Sequence, residues 1–216
     1  MIRKICTLAA CLALAAPVAH AQEYMFTYSK LFSQLKHNNE EQFTDVKVAI
    51  FFNDAEYKTQ CKIHKAWMEK EEHYEELQVS DIQEVIVPID GNLKSANPLV
   101  FIQTPQNRRC DYSVVVMGKT QLEGKVSYSQ LAPMLPQMQE MLETLGGMFA
   151  SFFTPKVEGL TLEFTEQEGD ILLSNGKTVQ IDKGRARVLL ADIAPDGYLE
   201  LPYKTKRVLP WLPSAK

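Results

Sequence analysis

Residues 131–153, LAPMLPQMQEMLETLGGMFASFF, hold the densest group of side chains with a potential chemical role: four methionines and three phenylalanines. Thioether sulfur is a soft ligand that suits copper(I), so one interpretation is copper handling in a periplasm through Met134, Met138 and Met141. Methionine also fills irregular gaps in apolar cores. An exposed apolar patch, in contrast, marks a contact surface for a partner. The stretch is interpreted first as core, second as a partner surface and last as a metal site.

The same stretch predicts an amphipathic helix that begins near Pro133 and ends at Gly146 and Gly147. Methionine and leucine fall on one face of this helix, and glutamine and glutamate occupy the other. The helix has no lysine or arginine, which argues against a helix that lies on a lipid surface. The residues predicted to contact a partner are Met134, Met138, Met141, Met148, Phe149, Phe152 and Phe153.

A second group with potential chemistry is the cluster of carboxylates from Glu69 to Glu76. A glycosidase-type hydrolase needs two carboxylates in a cleft, with separated pKa values. This cluster is interleaved with Lys70 and His73, which is typical of a solvated strand pair or turn. The sequence motifs GxSxG, HExxH and GxGxxG are absent. No catalytic residue and no cofactor is predicted, and a hydrolase that uses Glu69–Glu76 stays an alternative.

Cysteine chemistry depends on Cys61 and Cys110, the two cysteines that follow the N-terminal leader. An even pair in an oxidising compartment predicts one disulfide. The alternative is a zinc site that adds His64 and His73, but a Cys-x-x-His with a third ligand nine residues later fits known zinc spacings poorly. Calcium ligation by aspartates in Asp-Gly turns is a further alternative, for which the EF-hand spacing is missing.

The leader itself, MIRKICTLAACLALAAPVAHA, combines Arg3 and Lys4 with an apolar run and a small-x-small motif at Ala19–Ala21. These features predict a signal peptide over residues 1–21, cut after Ala21. The apolar run is shorter than the ~20 residues that span a bilayer, so no stable membrane anchor is expected. The location predicted for the mature protein is a periplasm or the medium.

Net charge restricts the partners. The chain carries −4, and removal of Arg3 and Lys4 makes this −6. An acidic protein without a dense basic patch is a poor ligand for nucleic acid or an anionic membrane. The expected partner is another envelope protein or a peptide, and the expected role is a non-catalytic binding or envelope-assembly module.

Two stretches of similar sequence lie about a hundred residues apart in the chain. Tyr28–Leu35 and Tyr128–Leu135 both fit YSxLxxxL, and each precedes a run with strand-type alternation. A proline followed by DGxL comes later in both halves. We therefore predict a β-rich α+β protein of two related halves, 22–120 and 121–216, each an antiparallel sheet with a short amphipathic helix. Asn175-Gly176 between two apolar runs predicts a β-hairpin.

Taken together, the leader, the YSxL motif, the cysteine pair and the segment Asn97-Pro98-Leu99-Val100 resemble a family of uncharacterised exported proteins of gammaproteobacteria, a domain of unknown function. The resemblance implies an envelope location. It implies no catalytic residues and no mechanism.

Overall fold

The computed structural model describes residues 22–105, 108–147 and 150–213, without the side chains of residues 151 and 152. The predicted signal peptide, residues 1–21, lies outside the described residues. The fold is β-rich, with antiparallel sheets and few, short helices, as the sequence predicts.

The first half of the chain forms six strands and two α-helices. Its strands are β1 (Gln22–Thr27), β2 (Val46–Asp54), β3 (Lys65–Lys70), β4 (His73–Glu76), β5 (Leu99–Thr104) and β6 (Cys110–Gly118). Its helices are α1 (Tyr28–Leu35) and α2 (Gly91–Ala96). Four of the strands form a sheet in the order β1-β5-β3-β4, and β2 pairs with β6 along nine residues each.

The second half has seven strands in one sheet of order β13-β8-β11-β10-β9-β12-β7. These strands are β7 (Gly124–Ser127), β8 (Gly159–Glu163), β9 (Glu168–Leu173), β10 (Thr178–Asp182), β11 (Arg185–Leu189), β12 (Tyr198–Leu201) and β13 (Arg207–Trp211). Its helices are α3 (Tyr128–Leu131), α4 (Met134–Gly146) and α5 (Ala150–Phe153).

Part of the strand pairing recurs in both halves. The chain β1-β5-β3-β4 of the first half has the same connections as β7-β12-β9-β10 of the second, and β2-β6 has those of β8-β13. Strand β11 joins the two groups of the second half into one sheet, whereas the described strands of the first half form two sheets. The helix that follows the first strand starts alike in both. Tyr28 donates its backbone N–H to the carbonyl of Pro98, just before β5, and Tyr128 donates to that of Gly197, just before β12.

Local sequence explains several of these elements. Tyr28, Leu31 and Leu35 are three and four residues apart, so they fall on one face of α1, and all three are buried. The predicted hairpin at Asn175-Gly176 joins β9 to β10, and Gly176 has a φ of 81° that favours glycine. The charged segment 65–76, interpreted from the sequence as a strand pair or turn, is the hairpin of β3 and β4.

One core cluster contains residues from both halves, from Tyr28 in α1 to Val208 in β13. Helix α4 belongs to the second half by sequence, yet it packs on β2 and β6 of the first half as well as on β13. Strand β2 is buried on both faces, because a second small cluster around Ala49, Phe51 and Met117 covers its other side. The two halves are therefore packed around a shared apolar core.

Aromatic rings join β1 to the β2-β6 pair. Tyr24 lies 4.9 Å from Phe52 between ring centroids, and Phe26 lies 4.9 Å from Tyr112. The hydroxyl of Tyr112 donates a hydrogen bond to the side-chain oxygen of Gln34 in α1. Burial raises the pKa of Tyr112 from 10.0 to about 12.

This burial predicts a loss of stability at alkaline pH. The unfolded chain gives up the Tyr112 proton near pH 10, whereas the folded protein keeps it to about 12. Between these values the folded state binds more protons, so the free energy of unfolding falls as pH rises. We expect Y112F to lose less stability than wild type between pH 9 and about 11.5 in urea titrations. The exposed Tyr57 supplies the control Y57F, and equal losses in all three proteins would contradict the assignment.

Candidate functional site

The methionines of α4 lie in the core. Met134 is 3% exposed, and Met138 and Met141 are 0% exposed. This corrects their assignment as partner-contact residues and supports the core interpretation, because a buried thioether is not at the surface that a partner would meet. The same burial disfavours copper exchange at Met134, Met138 and Met141. Met148, Phe149 and the side chain of Phe152 lie outside the described residues, while Phe153 is 83% exposed.

A cavity-forming substitution tests the structural role of the helix. M138A is expected to lower the free energy of unfolding by about 3 kcal/mol, because it removes a fully buried side chain. M138L keeps the volume and is expected to cost less than about 1.5 kcal/mol. Urea unfolding measures both. An M138A as stable as the wild type would place this methionine outside a packed core.

The carboxylate cluster lies in solvent. Glu69, Glu71, Glu72, Glu75 and Glu76 are all exposed along the β3-β4 hairpin. Exposed carboxylates at the tip of a hairpin lack the enclosed cleft in which hydrolases separate the pKa values of an acid and a base. This arrangement gives the hydrolase alternative no support.

Cys61 and Cys110 form the predicted disulfide, with sulfur atoms 2.05 Å apart. The bond uses both thiols, so the zinc alternative with His64 and His73 loses two of its four ligands. Among the described residues, no group of three or more His, Cys, Asp or Glu side chains is placed to hold a metal. Asp90, one of the aspartates considered for calcium, instead accepts the N–H groups of Asn92 and Leu93 at the start of α2.

An apolar surface remains on the outer side of the sheet β1-β5-β3-β4. Met25, Trp67 and Phe101 lie side by side across three strands, since Met25 pairs with Phe101 and Phe101 with Trp67. Leu99 and Tyr74 extend this row on neighbouring positions. Met25 is 62% exposed, Tyr74 is 52% exposed and Leu99 is 37% exposed. We call these five residues the outer aromatic face.

The rings of the outer aromatic face are ordered by one another and by polar neighbours. Trp67 and Phe101 stack with centroids 5.1 Å apart and planes 10° from parallel. Lys65 places its ammonium 5.4 Å from the Trp67 ring and 5.3 Å from the Tyr74 ring. Its hydrogen bond with Tyr74 raises the pKa of Lys65. These contacts restrict the orientations available to the rings.

Carboxylates border the face. Glu76 pairs with Trp67 across β3 and β4, and Glu69 pairs with Tyr74. Glu69 accepts the indole N–H of Trp67 at 3.1 Å, and Glu23 accepts the side-chain N–H of Gln103 at 3.1 Å. An apolar centre with a polar rim is the usual anatomy of a protein interface.

Three of the four corresponding positions of the second half are polar, and the fourth is Leu172. Lys125 in β7 pairs with Glu200 in β12, Glu200 pairs with Leu172 in β9, and Leu172 pairs with Thr178 in β10. All four side chains are exposed. The strands of this row connect alike in the two halves, yet these four positions of the second half carry no aromatic residue. The sheet geometry therefore does not require aromatic residues in this row.

A polar recess of about 280 Å³ lies beside β6 and β13, where the halves meet. Within it Lys47 pairs with Glu84 at 2.7 Å, and Lys206 donates to the side chain of Gln60 at 2.7 Å. Burial and the adjacent Arg207 lower the pKa of Lys206. Lys47 is therefore paired within the first half, whereas Lys206 of the second half is bonded to Gln60 of the first, so the recess lies at a junction between the halves.

The sequence indicates the outer aromatic face, although the alternation of apolar and polar residues alone does not reveal it. In Lys65–Lys70 and Leu99–Thr104, apolar residues occupy both faces of the strand, although only one face can point to the core. Trp67 and Phe101 are the apolar residues on the face that points away from the core. A strand with an excess apolar face predicts either a second buried layer or a contact surface.

The fold and the surfaces define a β-rich α+β protein, held by a disulfide, with an aromatic face on one sheet. Among the described residues, no helix has the length and apolar character needed to cross a membrane. The chain belongs to the family described as Protein of unknown function (DUF2987), whose model matches residues 20–164. The match covers the first half of the fold and continues into β8. No curated protein and no solved structure matches the chain.

Proposed function

We propose that the protein is an exported, non-catalytic binding module of the cell envelope, and that the outer aromatic face contacts its protein or peptide partner. The observation that carries the proposal is the row formed by the exposed Met25 and the half-buried rings of Phe101 and Trp67, on the outer side of a sheet whose other side already fills the core. Exposed apolar surface costs stability in water, so a contiguous patch indicates a contact made after folding. Phe153, at 83% exposure, is a second proposed contact.

Export is supported by the disulfide, because such bonds persist in oxidising compartments and are rare in reducing ones. The sequence of residues 1–21 adds a cleavage motif at its end. The test is the intact mass of the protein from the periplasmic fraction of its host under non-reducing conditions. A chain that begins at Gln22 and is lighter by two hydrogens supports the proposal, and a chain that retains residues 1–21 contradicts it.

The two halves are proposed to descend from one duplicated unit. The shared YSxL motif and the matching succession of strand pairings support this. On this basis the outer aromatic face is a feature that one copy gained or the other lost, and Lys125, Glu200 and Leu172 mark the corresponding surface without it. The second half therefore supplies matched controls.

Site-specific photocrosslinking in the host tests the binding surface. A benzophenone amino acid is placed at Met25 or Leu99 on the outer aromatic face, and at the exposed Leu172 as the control. We expect one adduct of reproducible mass from the first two positions. The same adduct is expected to form when the purified partner is mixed with the protein. Adducts of equal yield from Leu172, or none from Met25 and Leu99, would contradict the proposed surface.

A further inference from the structure

We infer that the partner segment bound by the outer aromatic face is cationic, an extended polypeptide that carries lysine or arginine beside apolar side chains. The inference rests on the proposed function and adds the chemistry of the partner.

The side chains on this side of the sheet carry an excess of negative charge. Among the described residues of these four strands, Glu23, Glu69 and Glu76 share the face with one cation, Lys65. Lys65 is already engaged with the Trp67 and Tyr74 rings, and Glu76 lies near it. The carboxylates at the rim therefore outnumber the cations that could neutralise them.

Two of these carboxylates are held in place with one oxygen still open. Glu69 uses Oε2 to accept from the Trp67 indole, and Glu23 uses Oε2 to accept from Gln103. Both residues are exposed at the rim, so an incoming ammonium or guanidinium can reach their carboxylates. A positioned carboxylate loses less side-chain entropy on binding than a free one, so it favours a charged partner.

The aromatic centre fits the same partner. Aromatic rings attract cations through their negative faces, and Lys65 already makes this contact with the half-buried Trp67 and the exposed Tyr74. The alternating side chains of an extended segment would place apolar groups on Met25 and Phe101 and charged groups at the rim. An anionic lipid surface is disfavoured, since it would bring phosphate groups against Glu23, Glu69 and Glu76.

Three labelled octapeptides test the inference by fluorescence anisotropy with the folded, oxidised protein. They alternate leucine with lysine, with serine or with glutamate. We expect the lysine peptide to bind about ten-fold more tightly than the serine peptide at about 20 mM salt, and to lose this advantage near 300 mM as the charges are screened. Weaker binding of the glutamate peptide is expected.

Glutamine substitutions at the rim provide the matched variants. The triple variant E23Q/E69Q/E76Q keeps the acceptor oxygens toward Trp67 and Gln103 and is expected to bind the lysine peptide about ten-fold more weakly. The control E166Q/E168Q/E200Q removes three exposed carboxylates from the second half and is expected to leave binding unchanged.

The outcomes separate this inference from the proposed function. Equal binding of lysine and serine peptides, insensitivity to salt, or binding of none of the three overturns the cationic partner. The same holds if vesicles with anionic lipid bind and the lysine peptide does not. The binding surface itself stands or falls with the adducts at Met25 and Leu99, whatever the peptides do.

Discussion

The double variant C61S/C110S is expected to unfold with a free energy about 4 kcal/mol lower than the wild type. The disulfide joins residues 49 positions apart, so its removal releases a long loop in the unfolded chain. The bond connects the segment just before β3 to the first residue of β6, and hence the β1-β5-β3-β4 sheet to the β2-β6 pair. Both cysteines are buried, at 5% and 1% exposure.

Guanidinium unfolding of oxidised and reduced wild type checks this prediction without a mutation. The reduced protein and C61S/C110S are expected to agree within about 1 kcal/mol, since both lack the same constraint. C61A/C110A separates the loop effect from the burial of serine hydroxyls. A reduced protein as stable as the oxidised one would mean that the loop is restrained by other contacts in the unfolded chain.

Much of the fold follows from short-range sequence signals. Alternation predicts the strands around Val48 and Leu162, Asn175-Gly176 predicts its hairpin, and the spacing of Tyr28, Leu31 and Leu35 gives the buried face of α1. The disulfide followed from the number of cysteines that remain after the leader. Each of these signals acts within one element or depends on composition, so it can be read from the chain directly.

Long-range pairing is harder to predict. Whether α4 packs on its own sheet or on β2 and β6 depends on the shape of both halves, and the sequence carries no local mark of that choice. The same limit applies to the partner surface. A helix rich in methionine and phenylalanine has one pattern whether its apolar face is covered or exposed, and here Met138 and Met141 are covered.

The outer aromatic face was missed for a different reason. Alternation indicates a strand by its buried residues, and Ala66 and Met68 supply these on the inner side of β3. Trp67 lies between them on the outer side. Its partner Phe101 is distant in sequence, so their stacking depends on the β3-β5 register, which only tertiary structure provides. A surface of this kind departs from the simple pattern in which apolar residues lie inside and polar residues lie outside.

The variant E163Q, at the buried end of β8, is also expected to lower the free energy of unfolding strongly. Glu163 is 5% exposed and lies between two arginines that pair with it in register, Arg185 in β11 and Arg207 in β13. Its carboxylate contacts Arg207 at 2.5 Å and Arg185 at 2.9 Å. The glutamine removes the counterion of a mostly buried guanidinium, which is expected to cost about 3 kcal/mol in the free energy of unfolding.

The two arginines are expected to contribute unequally to the free energy of unfolding. Arg207 is 11% exposed and Arg185 is 65% exposed, so water already solvates Arg185. We expect R185Q to cost less than about 1 kcal/mol and R207Q several times more. Arg207 also lies over the Phe51 ring at 4.9 Å, so its loss weakens the contact between the halves. Urea unfolding of E163Q, R185Q and R207Q, with the exposed E166Q as control, measures this order. Equal losses from R185Q and R207Q would show that burial does not set the strength of this carboxylate's ion pairs.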